Sequence, residues 1–151
     1  MKSKKMLYEA WIASNIRYGL EIYGFASGYP MDKLQKLQNK IVKLLFGRGD
    51  TKTKEIYNEN KILTVLQMRD YMVITKNYYD NKFKNYNWEK INKLRTQTQR
   101  FELPRWKNMY GQRNKKWYVP NTFNRLPKNT LDYQSMKELK YNLKEIILNL
   151  K

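Results

Sequence analysis

Leu7, Ala10, Trp11, Ser14, Tyr18 and Ile22 recur at intervals of three and four, which predicts a helix over 6–24 that ends at Gly24. The stretch SGYP at 27–30 predicts a turn, with Gly28 free to adopt positive φ and Pro30 leading into the next element. So short a connection predicts that the second helix packs antiparallel to the first, or crosses it steeply. That second helix is expected over 32–46. At about 100° per residue, Leu34, Leu37, Ile41, Leu44 and Leu45 share one stripe, with Gly47 as a C-cap. Lys33, Lys36, Lys40 and Lys43 form another stripe, expected beside the leucines, roughly a third of a turn away. None of these lysines has an acid at i+4, so the row repels itself unless something neutralises it.

A short helical turn is expected near 54–59. A longer helix is expected over 64–83, with Val65, Met68, Met72, Thr75 and Tyr79 on one side and the methionines as core filler. Near the end, Ser135 followed by Glu138 is a capping-box pattern. It opens an amphipathic helix with Met136, Leu139, Leu143, Ile146, Ile147 and Leu150 on one face. Between these helices, 85–131 loses helical periodicity and holds three of the four prolines. The expectation is a mainly α chain: a helical region over 1–84, an irregular basic and aromatic segment over 85–131, and a C-terminal amphipathic helix over 132–151.

Composition sharpens this picture. Leu, Ile, Val and Phe make up 23% of the 151 residues, just above the level at which a highly charged chain stays disordered. The core is therefore thin, and the 13 tyrosines and four tryptophans must supply much of the packing. The net charge is +18, and half of that excess falls in 91–131, where Glu102 is the single acid. Within 85–131, Arg95, Arg100, Arg105, Arg113, Lys115 and Lys116 alternate with Phe101, Trp106, Tyr110, Trp117 and Tyr118. Cations interleaved with aromatics suit a nucleic-acid strand: ring faces stack on bases while Arg and Lys follow the phosphates. An equally simple account is that the larger aromatics, Trp106 and Trp117 above all, anchor this segment onto the helices.

The chain has no cysteine and no histidine. That excludes disulfides, thiol nucleophiles, imidazole acid–base chemistry and zinc sites built from its own Cys or His. No cofactor is expected. Glu55 and Glu59 fall at i,i+4 and are the best candidate pair for Mg²⁺, which keeps a small nuclease open as a third reading, although acids near a helix start are common on dipole grounds alone. No Gly-rich phosphate loop and no nucleophile beside a base occurs, so no catalytic residue is expected. No apolar run is long enough to cross a bilayer, and the opening MKSKKM lacks a signal-peptide core. The expectation is a mature, intracellular sequence of the cytoplasm or nucleus with no membrane partner.

Three stretches carry a resemblance. YGFASGYPMDKLQKLQNKIVKLLFG (23–47) resembles the segment just after the palm in reverse transcriptases of non-LTR retrotransposons. Leu34, Leu37, Gln38, Lys40 and Lys43 stand in that family's Leu-x-x-Leu-Gln-x-x-Ala/Ile-Val/Leu-Arg/Lys pattern. KILTVLQMRDYMVI (61–74) resembles the next helical piece. Residues 94–146 resemble the C-terminal tail, with Phe123-Asn124-Arg125-Leu126-Pro127 in place of a motif that usually begins with Trp. The resemblance implies a thumb-and-tail portion whose lysine row contacts a template–primer duplex, RNA or RNA–DNA. The missing palm and fingers of the same polyprotein would be its other partner. The family's Tyr/Phe-x-Asp-Asp strand has no counterpart here, so the resemblance implies no polymerase activity for this chain alone. It also implies a frame left by 5′ truncation. The competing expectation is a stand-alone basic helical module that binds RNA or a ribosome. The candidate binding residues are thus Lys33, Lys36, Lys40, Lys43, Arg95, Arg100, Arg105, Trp106, Tyr110, Arg113, Lys115, Lys116, Trp117 and Tyr118.

Overall fold

The computed structural model describes residues 2–25, 28–47, 51–78, 101, 103–106, 108–127 and 135–149. They are mostly helical, and no strand occurs among them. In chain order the elements are α1 (Lys2–Leu7), a π-helical turn (Tyr8–Ala13), α2 (Ser14–Tyr23), α3 (Gly28–Phe46), α4 (Thr53–Asn60), α5 (Val65–Asn77), α6 (Met109–Gln112), α7 (Lys115–Asn124) and α8 (Met136–Asn149). The chain divides into two compact units. One is Met1–Arg69 with Ile147–Asn149; the other is Asp70–Ile146 with Leu150–Lys151.

In the first unit, α1, the π turn and α2 run on as one helix, but its buried face is not the one the spacing predicted. Tyr8, Ala13, Ile16 and Leu20 are buried, whereas Leu7, Ala10, Trp11, Ser14, Tyr18 and Ile22 are all exposed. The reason is the π turn. A turn closed by i→i+5 bonds holds one residue more than an α turn, so the inward positions Tyr8 and Ala13 stand five apart. Downstream of it the spacing returns to three and four. Ser14 Oγ and Asn15 Nδ2 donate back to the carbonyls of Ala10 and Trp11, fixing the wide turn from its own surface.

The second helix also begins earlier than expected. Gly28, Tyr29 and Pro30 form the first residues of α3 rather than a turn. Pro30 fits there because a first-turn N–H has no partner within the helix. The buried positions of α3 are Met31, Gln38, Val42 and Phe46, with Leu34, Ile41 and Leu45 half-buried. Leu37 and Leu44 of the expected stripe are 54% and 85% exposed.

Gln38 is at the centre of this packing and is fully buried. Its Nε2 donates to Tyr8 Oη at 2.7 Å and to the Leu63 carbonyl at 2.8 Å. Its Oε1 accepts from Gln35 Nε2 at 2.9 Å, and Gln35 Oε1 in turn accepts from the Val65 N–H at 2.8 Å. On the neighbouring side, Tyr57 Oη donates to Asn39 Oδ1 at 2.9 Å. Gln35, Gln38 and Asn39 of α3 thus join one hydrogen-bonded network around the buried Gln38, which is the condition under which a core tolerates such a residue. Burial raises the pKa of both Tyr8 and Tyr57 by penalising the phenolate. The Tyr8 ring meets Phe46 edge-on, with centroids 6.2 Å apart. The helical turn expected near 54–59 is α4, which Lys61 terminates in the left-handed region at φ 49°.

The second unit takes in the later part of α5 and most of α8. Leu139 and Leu143 of α8 are fully buried, and the Ser135 hydroxyl accepts from the Lys137 N–H. On α5, Met68 of the first unit is buried and Met72 of the second is half-buried, as core filler would be; Tyr79 lies outside the described residues. The expectation of an irregular 85–131 does not hold for its described part, because α6 and α7 occupy 109–124. Asn108 and Asn114 cap them: Asn108 Oδ1 accepts from the Gly111 N–H and Asn114 Oδ1 from the Lys116 N–H. Pro120 lies inside α7 and forfeits one helical bond, offset by its own burial beside Val119 and Phe123. Phe101 packs edge-on to Phe123 at 6.0 Å, and the Asn124 amide holds the Phe101 backbone at both N–H and carbonyl. Arg125 Nη1 donates to Asp70 Oδ2 at 2.9 Å.

Candidate nucleic-acid interface

The candidate residues that the structure describes fall on two surfaces, one in each unit. Arg95 and Arg100 lie outside the described residues.

The first surface is the outer side of α3. Taking about 100° per residue, the inward strip of Met31, Gln38, Val42 and Phe46 stands nearly opposite Lys33, Lys36, Lys40 and Lys43. The lysines are thus not at the flank of a leucine stripe, as the sequence suggested, but on the back of the helix. All four are exposed, and none makes an ion pair among the described residues. Asp32, one turn before Lys36, is exposed as well. The Lys33 ammonium sits over the Tyr29 ring, 4.4 Å from its centroid, and Tyr29 itself is 69% exposed. Tyr29 was not among the expected site residues; its place one turn before Lys33 is the signal that would have found it.

The second surface is the corner between α6 and α7. Arg105, Lys115 and Lys116 are exposed. Both lysines stand in the first turn of α7, which holds no acid, so side-chain charge adds to the positive end of the helix dipole. Tyr110 is 81% exposed, and the Arg113 guanidinium lies 5.3 Å from its ring centroid. The other aromatics are less available. Trp106, Trp117 and Tyr118 are half-buried, and Trp106 lies so close over Gly111 that a Cβ there would stand 2.6 Å from the Trp106 Cβ. Anchoring describes Trp106 well, and Tyr110 is the ring presented outward. Phe101, expected among the interleaved aromatics, belongs to the core.

Glu55 and Glu59 are exposed on α4, and among the described residues no three acidic side chains gather as metal ligands would. No described helix is long and apolar enough to cross a membrane.

No family model matches this chain. No curated protein and no solved structure matches it either. Its function is therefore to be read from these two surfaces.

Proposed function

We propose that this chain binds nucleic acid through its phosphate backbone, without sequence preference. In this reading it is the thumb-and-tail part of a non-LTR retrotransposon reverse transcriptase and carries no polymerase centre of its own. The observation that supports this most is the lysine row of α3. Four exposed cations that make no ion pair among the described residues lie along one helix side for about 15 Å, at about 1.5 Å rise per residue. A row with no role would cost stability through like-charge repulsion; phosphates remove that cost. The α6–α7 corner adds Arg105, Arg113, Lys115, Lys116 and a stacking ring, Tyr110.

Salt dependence of binding to a labelled RNA–DNA duplex tests the proposal. With about five phosphates neutralised, log Kobs should fall with log salt at a slope of about −4 to −5. A slope near zero overturns it. The hydrogen-bond network that closes around Gln38 within the first unit supports the competing reading of a self-sufficient RNA-binding module. A single cooperative thermal melt of the isolated chain is the outcome that reading requires.

A further inference from the structure

The helix of residues 2–23 and α3 leave an open groove between them of about 230 Å³. Its walls are Trp11, Ile12, Ile16, Leu34, Leu37 and Ile41. Trp11 is 70% exposed and Leu37 54% exposed, so the lips as well as the floor are apolar. The polar groups present have little to offer a ligand. Asn15 donates its amide to the Trp11 carbonyl at 2.6 Å, and Gln38 is fully buried, its amide committed to Tyr8 and Leu63. A nucleobase buried in this groove would leave its polar edges with few partners. An apolar side chain needs none.

Leu34, Leu37 and Ile41 mark two turns of α3, about 10 Å. That is the reach of the i, i+3, i+7 face of an incoming helix, the arrangement by which amphipathic helices enter apolar grooves. Charge narrows the choice. Beside Leu37 on α3 stand Lys33 and Lys40, both exposed and without ion pairs among the described residues. A second copy of this chain, with a net charge of +18, would bring cations to cations. We propose that the groove seats an amphipathic helix of a partner protein, apolar face inward, with Asp or Glu along the edge that meets Lys33 and Lys40. The apolar groove lies beside the phosphate-binding row and its edge uses Lys33 and Lys40 of that row, so the two sites overlap there.

The probe is a fluorescein-labelled helical peptide about five turns long, with leucines at i, i+3, i+4 and i+7 and glutamates beside them. Two counterparts replace its glutamates by lysine or its leucines by serine. The full chain is expected to bind the parent peptide at least about tenfold more tightly than either counterpart. Leu37→Asp, at an exposed position, should weaken that binding at least about tenfold with circular dichroism unchanged. Leu66→Asp, at another exposed leucine away from the groove, should leave it as it was. Equal binding of the serine counterpart, or no effect of Leu37→Asp, overturns the proposal. So does a dimer in sedimentation that Leu37→Asp abolishes, since the groove would then hold a second copy. If Leu37→Asp releases a single-stranded RNA oligomer and not the peptide, the groove takes nucleic acid and the proposal falls.

Discussion

Replacing Lys36, Lys40 and Lys43 together by Gln tests the lysine row with little risk to the fold. All three are exposed, opposite the buried strip of α3, and make no ion pair among the described residues. Gln is nearly as good a helix former as Lys, and removing like charges at three- and four-residue spacing helps the helix by about 0.2–0.5 kcal/mol per pair. The thermal midpoint should therefore stay or rise slightly. Binding is different. Each strand places one phosphate per ~3.4 Å of duplex axis, so a row of about 15 Å laid along that axis passes roughly four of them. Every phosphate left without its lysine takes about 0.9 from the salt slope on a duplex, so three substitutions remove about 2.7 and leave a slope near −2. Raising salt from about 50 to about 200 mM would then weaken wild-type binding roughly 500-fold and the variant only about tenfold. Fluorescence anisotropy on an RNA–DNA duplex across that range measures both numbers. If the triple variant keeps the wild-type slope, the row touches no phosphate and the assignment of α3 is refuted.

Gln38→Leu should cost about 2–4 kcal/mol in urea unfolding, because the Leu63 carbonyl and the Tyr8 hydroxyl lose their buried donor. Tyr8→Phe in that background should cost about 1 kcal/mol less than it does alone, and strict additivity would deny the network. Gly111→Ala should destabilise the second unit by about 1–3 kcal/mol, since the new methyl meets Trp106 Cβ and Cγ at 2.6 and 2.7 Å; tryptophan fluorescence unchanged through the melt would contradict the packing. Burial holds Tyr8 and Tyr57 protonated in the fold, so their pKa values are higher there than in the unfolded chain. Their contribution is complete below about pH 10, where an unfolded tyrosine ionises, and is lost as pH rises towards the folded values. The urea midpoint should fall above that pH, and the fall should be shallower in the Tyr8→Phe, Tyr57→Phe double variant.

The helices from Leu7 to Phe46 and from Ser135 onward were legible because apolar residues keep helical intervals there. Which side faced inward was not. In α3, Gln38 outranks Leu37 and Leu44 for the core. Its amide finds Tyr8 and Leu63, far away in sequence, and no binary pattern shows a partner 25 or 30 residues distant. In the first helix the five-residue step from Tyr8 to Ala13 breaks the period on which the reading depends. Gly111 and Pro120 concealed α6 and α7, although Asn108 and Asn114 were cap residues in plain view. The basic character of the candidate surfaces was legible from charge alone. The exposure of Tyr29 and the burial of Phe101 were not, since both depend on tertiary packing.

The π turn also has a meaning for descent and design. It holds one residue beyond an α turn, so losing a single codon within 9–12 would restore an ordinary helical spacing and keep Tyr8 in register with Ile16 and Leu20. The outward Trp11 and the lip it gives the groove would be rearranged at the same stroke. One insertion can thus open a surface on a helix whose core packing is already fixed, leaving the rest of the chain to evolve around it.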